Sequence, residues 1–290
     1  MSHFTVMIFG DNAEDQLAPF QENNMGTCPE EYMEFIDQTD YLLDEWESES
    51  KETKEKYGND FDRYVEEYHG YKKDGETDNY GYRDNPNKKW DWYQLGGRWA
   101  GFLKLKKGAN GTVGKTGLFG TPAPSGTADA ALKRDIDFKS MREDAAKAAG
   151  KTYDEVTGIV GLTLHNMHGW KYVRETMFAG YIDAAREYYN KQDAVVKLRE
   201  WNQENNHKYG WGTDLEDFQV TREQYCKSAA DSACTTFAVI KDGEWYERGE
   251  MGWWGIVTDE KDQRNWDSEV AALLDELSDD TLISIYDCHI

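Results

Sequence analysis

The stretches HFTVMIFG at residues 3–10 and TLISIY at residues 281–286 bracket the chain. Both are rich in Phe, Val, Ile, Thr and Tyr and are of strand length, so each reads as a β-strand. Strands at both ends with helical patterns between them point to an α+β protein. The expected architecture is an antiparallel or mixed sheet built from N-terminal, central Trp-rich and C-terminal strands, with several helices packed on it. The two terminal strands are candidates to pair with each other.

Working inward from the N-terminus, a polar loop with Pro19 and Asn23-Asn24-Met25-Gly26 leads to Thr27-Cys28-Pro29-Glu30-Glu31. That segment has the look of a helix start, with Thr27 or Cys28 near the N-cap and acids in the first turn. A helical stripe of Tyr32, Phe35, Ile36, Leu42, Leu43 and Trp46 follows, interrupted around Gln38 to Asp40, and a second helix is predicted from Asn59 to Tyr68. Gly70 to Asn87 reads as a loop. The run KWDWYQLGGRWAGFLKLK at residues 89–106 predicts a hairpin: Trp90 and Trp92 on one strand, Gly96-Gly97 as the turn, Trp99 to Leu105 returning. Lys107 to Thr127 is Gly-rich, with Pro122 and Pro124, and reads as a long surface loop or boundary.

Beyond it, helices are expected over Asp129 to Ala149 and over Lys171 to Asn202, the latter as one helix or a pair. Thr221-x-x-Gln224 resembles a capping box. Thr235 to Ile240 and Glu244 to Arg248 flank a Lys241-Asp242-Gly243 turn and predict a β-hairpin. Met251 to Val257, containing Trp253 and Trp254, predicts another strand, and Asp267 to Leu277 a short helix. No internal repeat is found. The expected division is an N-terminal α+β region, residues 1–120, carrying an acidic helical segment and the Trp-rich hairpin. Residues 121–290 form a helical segment followed by the C-terminal hairpin, helix and strand.

At 290 residues the chain is long enough to bury roughly 75% of the surface its unfolded form exposes. It carries 33 Lys and Arg against 56 Asp and Glu, a net charge of −23. A field of that sign repels phosphate backbones and anionic membranes, so neither direct nucleic-acid binding nor membrane association is expected. With 39% hydrophobic and 14% aromatic residues, the chain is no disordered acidic tail. No signal peptide or membrane span is read in it, and four scattered cysteines are no secreted disulfide scaffold, so a cytoplasmic location is expected.

No motif commits the chain to a reaction, and no cofactor or metal is expected. Phosphate-cradling and nucleophile-elbow motifs are absent. His165 and His168 sit three apart and would share a helical face, or else are two loop histidines before Gly169. Cys288-His289 is a second lead, yet neighbours on a strand point to opposite faces. Cys28 would gain reactivity at a helix N-terminus, but Glu30 and Glu31 oppose that. Two features suggest binding instead. Trp90 and Trp92 would form one platform, with Arg98 and Trp99 close by; this is a core of aromatic layers or an interface cluster, since Trp, Tyr and Arg dominate hot spots. Between Glu30 and Asp84 stand 19 acids and 7 bases. Asp44, Glu45 and Glu47 lie within this run, which is a solvated face or a surface for a basic partner.

Three blocks carry a family resemblance: DQLAPFQENN at residues 15–24 leading to Cys28-Pro29, NPNKKWDWYQLGGRW at residues 85–99, and DDTLISIYDCHI at residues 279–290. Together they resemble a widespread family of tailed-phage proteins. In length, phage-like character and a cysteine-bearing C-terminus the chain is also similar to the Gabija anti-defence proteins. That resemblance implies a stoichiometric, non-catalytic inhibitor in the host cytoplasm. Such a protein assembles as a homo-oligomer around a nuclease–helicase defence complex and blocks its DNA engagement. No binding motif of that family is matched residue by residue. Two alternatives stay open: an enzyme using a metal or Cys28, His165, His168 or Cys288, and a sponge for a nucleotide signal. A C-terminal strand ending at Ile290 is expected to offer an exposed edge for self-association.

Overall fold

The computed structural model describes residues 2–209, 214–252 and 255–290; the expected strand around Trp253 and Trp254 falls partly outside them. In chain order, β1 (His3–Phe9) enters the core and α1 (Ala13–Leu17) packs beside it. Next come β2 (Glu34–Asp37), α2 (Thr39–Ser48), α3 (Lys51–Lys56), α4 (Phe61–Tyr64), β3 (Lys72–Lys73) and β4 (Tyr80–Asp84). The Trp-rich region gives β5 (Trp92–Gly97), followed by the short strands β6 (Leu103–Lys104), β7 (Lys115–Thr116), β8 (Thr127–Ala128) and β9 (Ala130–Leu132). The helical part holds α5 (Phe138–Val160), α6 (Trp170–Tyr172), α7 (Ile182–Lys191), α8 (Asp193–Glu204) and α9 (Arg222–Ser232). The chain closes with β10 (Ala238–Lys241), β11 (Glu244–Glu247), β12 (Glu250–Met251), β13 (Val257–Thr258), α10 (Gln263–Asp275) and β14 (Leu282–His289).

The protein is α+β, built on one mixed seven-stranded sheet. Its order is β11-β10-β1-β14-β5-β7, with β9 also paired to β14. The terminal strands lie antiparallel over their length, from His3 opposite His289 to Phe9 opposite Ile283. β10 runs parallel to β1, and β5 antiparallel to β14. Strands from both sides of residue 120 therefore share the central sheet.

Alternation along β1 and β14 sends side chains to two separate cores. Met7, Phe9, Ile283 and Ile285 meet Trp266, Val270 and Leu274 of α10 on one face. Phe4, Val6, Ile8, Tyr286 and Cys288 meet Leu17, Trp90 and Ile240 on the other. A third cluster holds α5, α8 and their connecting turns through Val156, Val160, Leu198 and Phe218. A fourth, with Leu42, Tyr57, Tyr64, Val65 and Tyr80 buried, lies inside the acidic run, where β2, β4 and β3 form a separate sheet against the helices.

Some predicted elements form as read. The capping box at Thr221 and Gln224 is complete, and the hairpin of β10 and β11 turns through Asp242 and Gly243, both in the left-handed region. Others differ. Phe35 and Ile36 lie in β2 rather than in a helix, and the apparent interruption at Gln38 to Asp40 is where α2 starts. Gly70 to Asn87, expected as a loop, supplies β3 and β4, which pair with each other locally, while β4 also pairs with β2 more than forty residues earlier. Asp129 to Leu132 is extended, and the helix begins later, where Asp137 caps it by accepting from the Ser140 amide. The expected Trp-rich hairpin does not form: β5 pairs with β14 and β7, while β6 pairs with β8. The expected free edge at the C-terminus is also corrected, because β14 is flanked on both sides.

The acidic lobe is tethered at Asp84-Asn85 to the segment that follows α1. Asp84 is buried and accepts from the Asn23 and Asn85 amides and from Lys88, while the Asn85 amide group donates to the carbonyls of Pro19 and Gln21. Burial acts to raise the Asp84 pKa, but Lys88 and the two backbone amides outweigh it and hold the carboxyl below its ordinary value. A depressed folded pKa gives stability that is complete above the unfolded pKa, about 3.9, and is lost as pH falls through the folded one. The stability gap between the protein and Asp84→Asn is therefore expected to be full at pH 6 and to shrink below about pH 4. Urea melts across that range measure it.

Candidate site at the terminal strands

Two fully buried carboxylates, Asp129 and Asp287, flank the Gly96-Gly97 end of β5. Asp129 accepts from the amides of Gly101 at 2.6 Å and Gly114 at 2.8 Å. Asp287 accepts from the Arg98 amide at 2.9 Å and pairs with Nδ1 of His3 at 2.7 Å. Both glycines have positive φ, 75° and 56°, where a Cβ is disfavoured. A Cβ on Gly96 would stand 2.4 Å from Asp129 Oδ2, and one on Gly97 would stand 2.2 Å from the Asp287 Cβ. The Gly-Gly pair is thus required by the two carboxylates, not by a hairpin turn.

Beside this turn the sheet presents a cross-strand row of His3, His289 and Trp92, contributed by β1, β14 and β5. The His3 and His289 ring centroids are 4.9 Å apart with planes at 70°, and His3 and Trp92 meet edge-on at 6.1 Å. Nδ1 of His289 lies 2.5 Å from Asp91 Oδ1, and the other Asp91 oxygen accepts from Asn24 at 2.9 Å. Each imidazole therefore has its own carboxylate. Donation of Nδ1–H to that carboxylate fixes the tautomer and leaves Nε2 as the bare ring nitrogen. Nε2 of His289 is buried with no hydrogen-bond partner among the described residues.

The other expected site residues are dispersed. Trp90 is buried, donates from Nε1 to the Leu17 carbonyl at 3.0 Å and packs on the face opposite Trp92. The expected platform of the two is absent, because β5 starts at Trp92 and Trp90 precedes it. Trp92 is 44% exposed, and Trp99 is half-buried in the turn after β5. The Arg98 guanidinium sits 5.9 Å from the ring of Phe119, an exposed residue in the Gly-rich loop. On α2, Asp44 and Glu47 are exposed, whereas Glu45 is half-buried and accepts from the Tyr64 hydroxyl at 3.0 Å. Burial, aided by Glu45, pushes the Tyr64 pKa up, so Glu45 serves the lobe's own core.

The nucleophile and metal candidates do not converge. All four cysteines are free thiols. Cys28 precedes a short turn rather than a long helix, and burial together with Asp84 raises its pKa. Cys288 is wholly buried among apolar side chains on the face opposite His289, and burial followed by Asp287 raises its thiol pKa well above the ordinary value. His165 ends a 3-10 turn, while His168 lies beyond it against the Tyr188 hydroxyl at 2.8 Å. Among the described residues no group of three or more ligating side chains could hold a metal. A cleft of about 750 Å³ over Phe20 and Trp245 carries Lys88 and Lys89. Both are paired, with Asp84 and Glu247, so the cleft offers a phosphate no spare cation.

His3, Asp91 and Asp287 escaped the sequence reading, and His289 was considered only with its neighbour Cys288. Their signal was the i, i+2 spacing of Asp287 and His289 on a strand, which places both on one face, but His3 and Asp91 join them only through strand pairing. Comparison with protein-family models, curated proteins and solved structures finds no match.

Two outcomes are expected. Gly97→Ala should lose more than about 2 kcal/mol of stability in urea denaturation, from the left-handed backbone together with the clash against Asp287. In native protein at pH 8, iodoacetamide should modify Cys226, which is half-exposed, while Cys234 and Cys288 should react only on unfolding; peptide mapping by mass spectrometry reads this.

Proposed function

We propose that the chain is a phage-encoded stoichiometric inhibitor. It acts in the host cytoplasm by binding a bacterial defence complex of the Gabija nuclease–helicase kind and blocking its DNA engagement. The observation that carries this reading is the acidic lobe. The run from Glu30 to Asp84 is no extended tail: it folds around a core of its own and turns most of its acids, Asp44 and Glu47 among them, to solvent. A rigid negative surface suits a groove built for nucleic acid, because its charges are ordered before contact and complementary potentials speed encounter.

Self-association, which the resemblance also implies, would use a surface other than β14. At the outer edge of the central sheet, β11 has one side unpaired among the described residues. Apolar or charge-matched contacts are required there, since two copies of so acidic a chain repel each other.

The test is a pull-down of the tagged protein from cells expressing a Gabija complex, at two salt concentrations. A complex that forms and weakens as salt rises is expected. The double charge reversal Asp44→Lys, Glu47→Lys should lower its affinity at least tenfold, since both positions are exposed and leave the lobe's core untouched. Absence of any complex at either salt overturns the proposed partner.

A further inference from the structure

We propose that His3 and His289 form a two-histidine site for a borderline divalent transition metal such as Zn²⁺, with its remaining positions open to water or to a ligand from a bound protein. The inference does not depend on the inhibitor reading. It starts from the tautomers. His3 and His289 each direct Nδ1 at a carboxylate, Asp287 at 2.7 Å and Asp91 at 2.5 Å. A histidine that ligates a metal through Nε2 almost always hands its other ring N–H to a carboxylate or carbonyl in this way, which fixes the ring and raises its basicity.

Both carboxylates are themselves held. The second oxygen of Asp287 accepts from the Arg98 amide, and that of Asp91 accepts from the Asn24 side chain. They are therefore occupied as orienting groups, and the two imidazole nitrogens remain as the ligands.

The spacing also fits. Tetrahedral zinc with Zn–N bonds of about 2.0–2.1 Å places the centroids of two coordinated imidazoles roughly 5 Å apart. The observed separation is 4.9 Å, between residues directly opposite on paired strands. Nε2 of His289 is buried without a hydrogen-bond partner among the described residues, and a buried nitrogen lone pair left unused is costly unless something occupies it. Two histidines are fewer than the three or four protein ligands of structural and catalytic zinc sites, so the remaining positions would fall to water or to a side chain of a bound partner. Imidazole donors favour Zn²⁺, Ni²⁺ and Cu²⁺ over Mg²⁺ and Ca²⁺, which take oxygen.

Isothermal titration of the whole protein with ZnCl₂, in excess Mg²⁺ to saturate the surface carboxylates, tests the site. One zinc per chain is expected, with Cu²⁺ giving a spectrum of two-nitrogen coordination by electron paramagnetic resonance. His3→Ala and His289→Ala should each weaken zinc binding at least tenfold, and His168→Ala should leave it unchanged. Asp91→Asn, which retains the shape of the carboxylate, should weaken it by about 10–100-fold. Circular dichroism and thermal unfolding verify that each variant folds. Should His289→Ala fail to fold, His3→Ala and Asp91→Asn decide the outcome. Absence of stoichiometric zinc binding overturns the proposal, as does binding that survives His3→Ala and Asp91→Asn unchanged.

Discussion

The pairing of the first strand with the last is the constraint on which the rest of the molecule depends. β1 and β14 occupy the middle of the central sheet, and each carries side chains for two cores on opposite faces. Their partners are added outward: β10 and β11 beside β1, β5 and β9 beside β14. Asp287 then links this central pair to the Trp-rich segment. It is buried on β14, pairs with His3 on β1 and receives the amide of Arg98 just past β5. One carboxylate thus joins three strands, and it demands a residue without a side chain at position 97.

The acidic lobe is built on a different economy. Its core is dominated by tyrosines, whose rings are buried while some hydroxyls reach acidic partners at the rim, as Tyr64 reaches Glu45. Mutual repulsion among the acids is relieved locally by ion pairs such as Arg63 with Glu67 and Lys73 with Asp62. Exposed pairs of this kind contribute little each, so the aromatic core carries the lobe. The division of labour lets the surface stay strongly charged without loosening the interior.

How much of this was legible in the sequence follows from how local each signal is. The terminal strands announce themselves by their own apolar, β-branched runs, and the β10–β11 hairpin and the Thr221 capping box depend on residues within a few positions of one another, so all were readable. β2 and β4 were not, because Phe35-Ile36 and Tyr80 to Asp84 are strands by virtue of pairing across more than forty residues. The Gly96-Gly97 pair misled for a related reason. Two glycines usually mark a hairpin, yet here they make room for Asp129 and Asp287, carboxylates remote in sequence. Of the candidate site, Trp92 and Arg98 were noticed for their residue type. The histidines and their carboxylates gain meaning only once β1, β14 and the approach to β5 are side by side.

The central place of β14 also bears on how the molecule comes into being. Synthesis proceeds from the N-terminus, so β14, the strand that lies between β1 and β5, is made after every other strand of the central sheet. Until then β1 and β5 have no common neighbour, and the apolar faces of β1 and β10 lack the strand that completes both cores. The acidic lobe and the α5–α9 helices, whose contacts lie closer in sequence, are able to form while synthesis continues. The central sheet must wait, its exposed strands kept apart from other nascent chains chiefly by the negative charge already displayed around them.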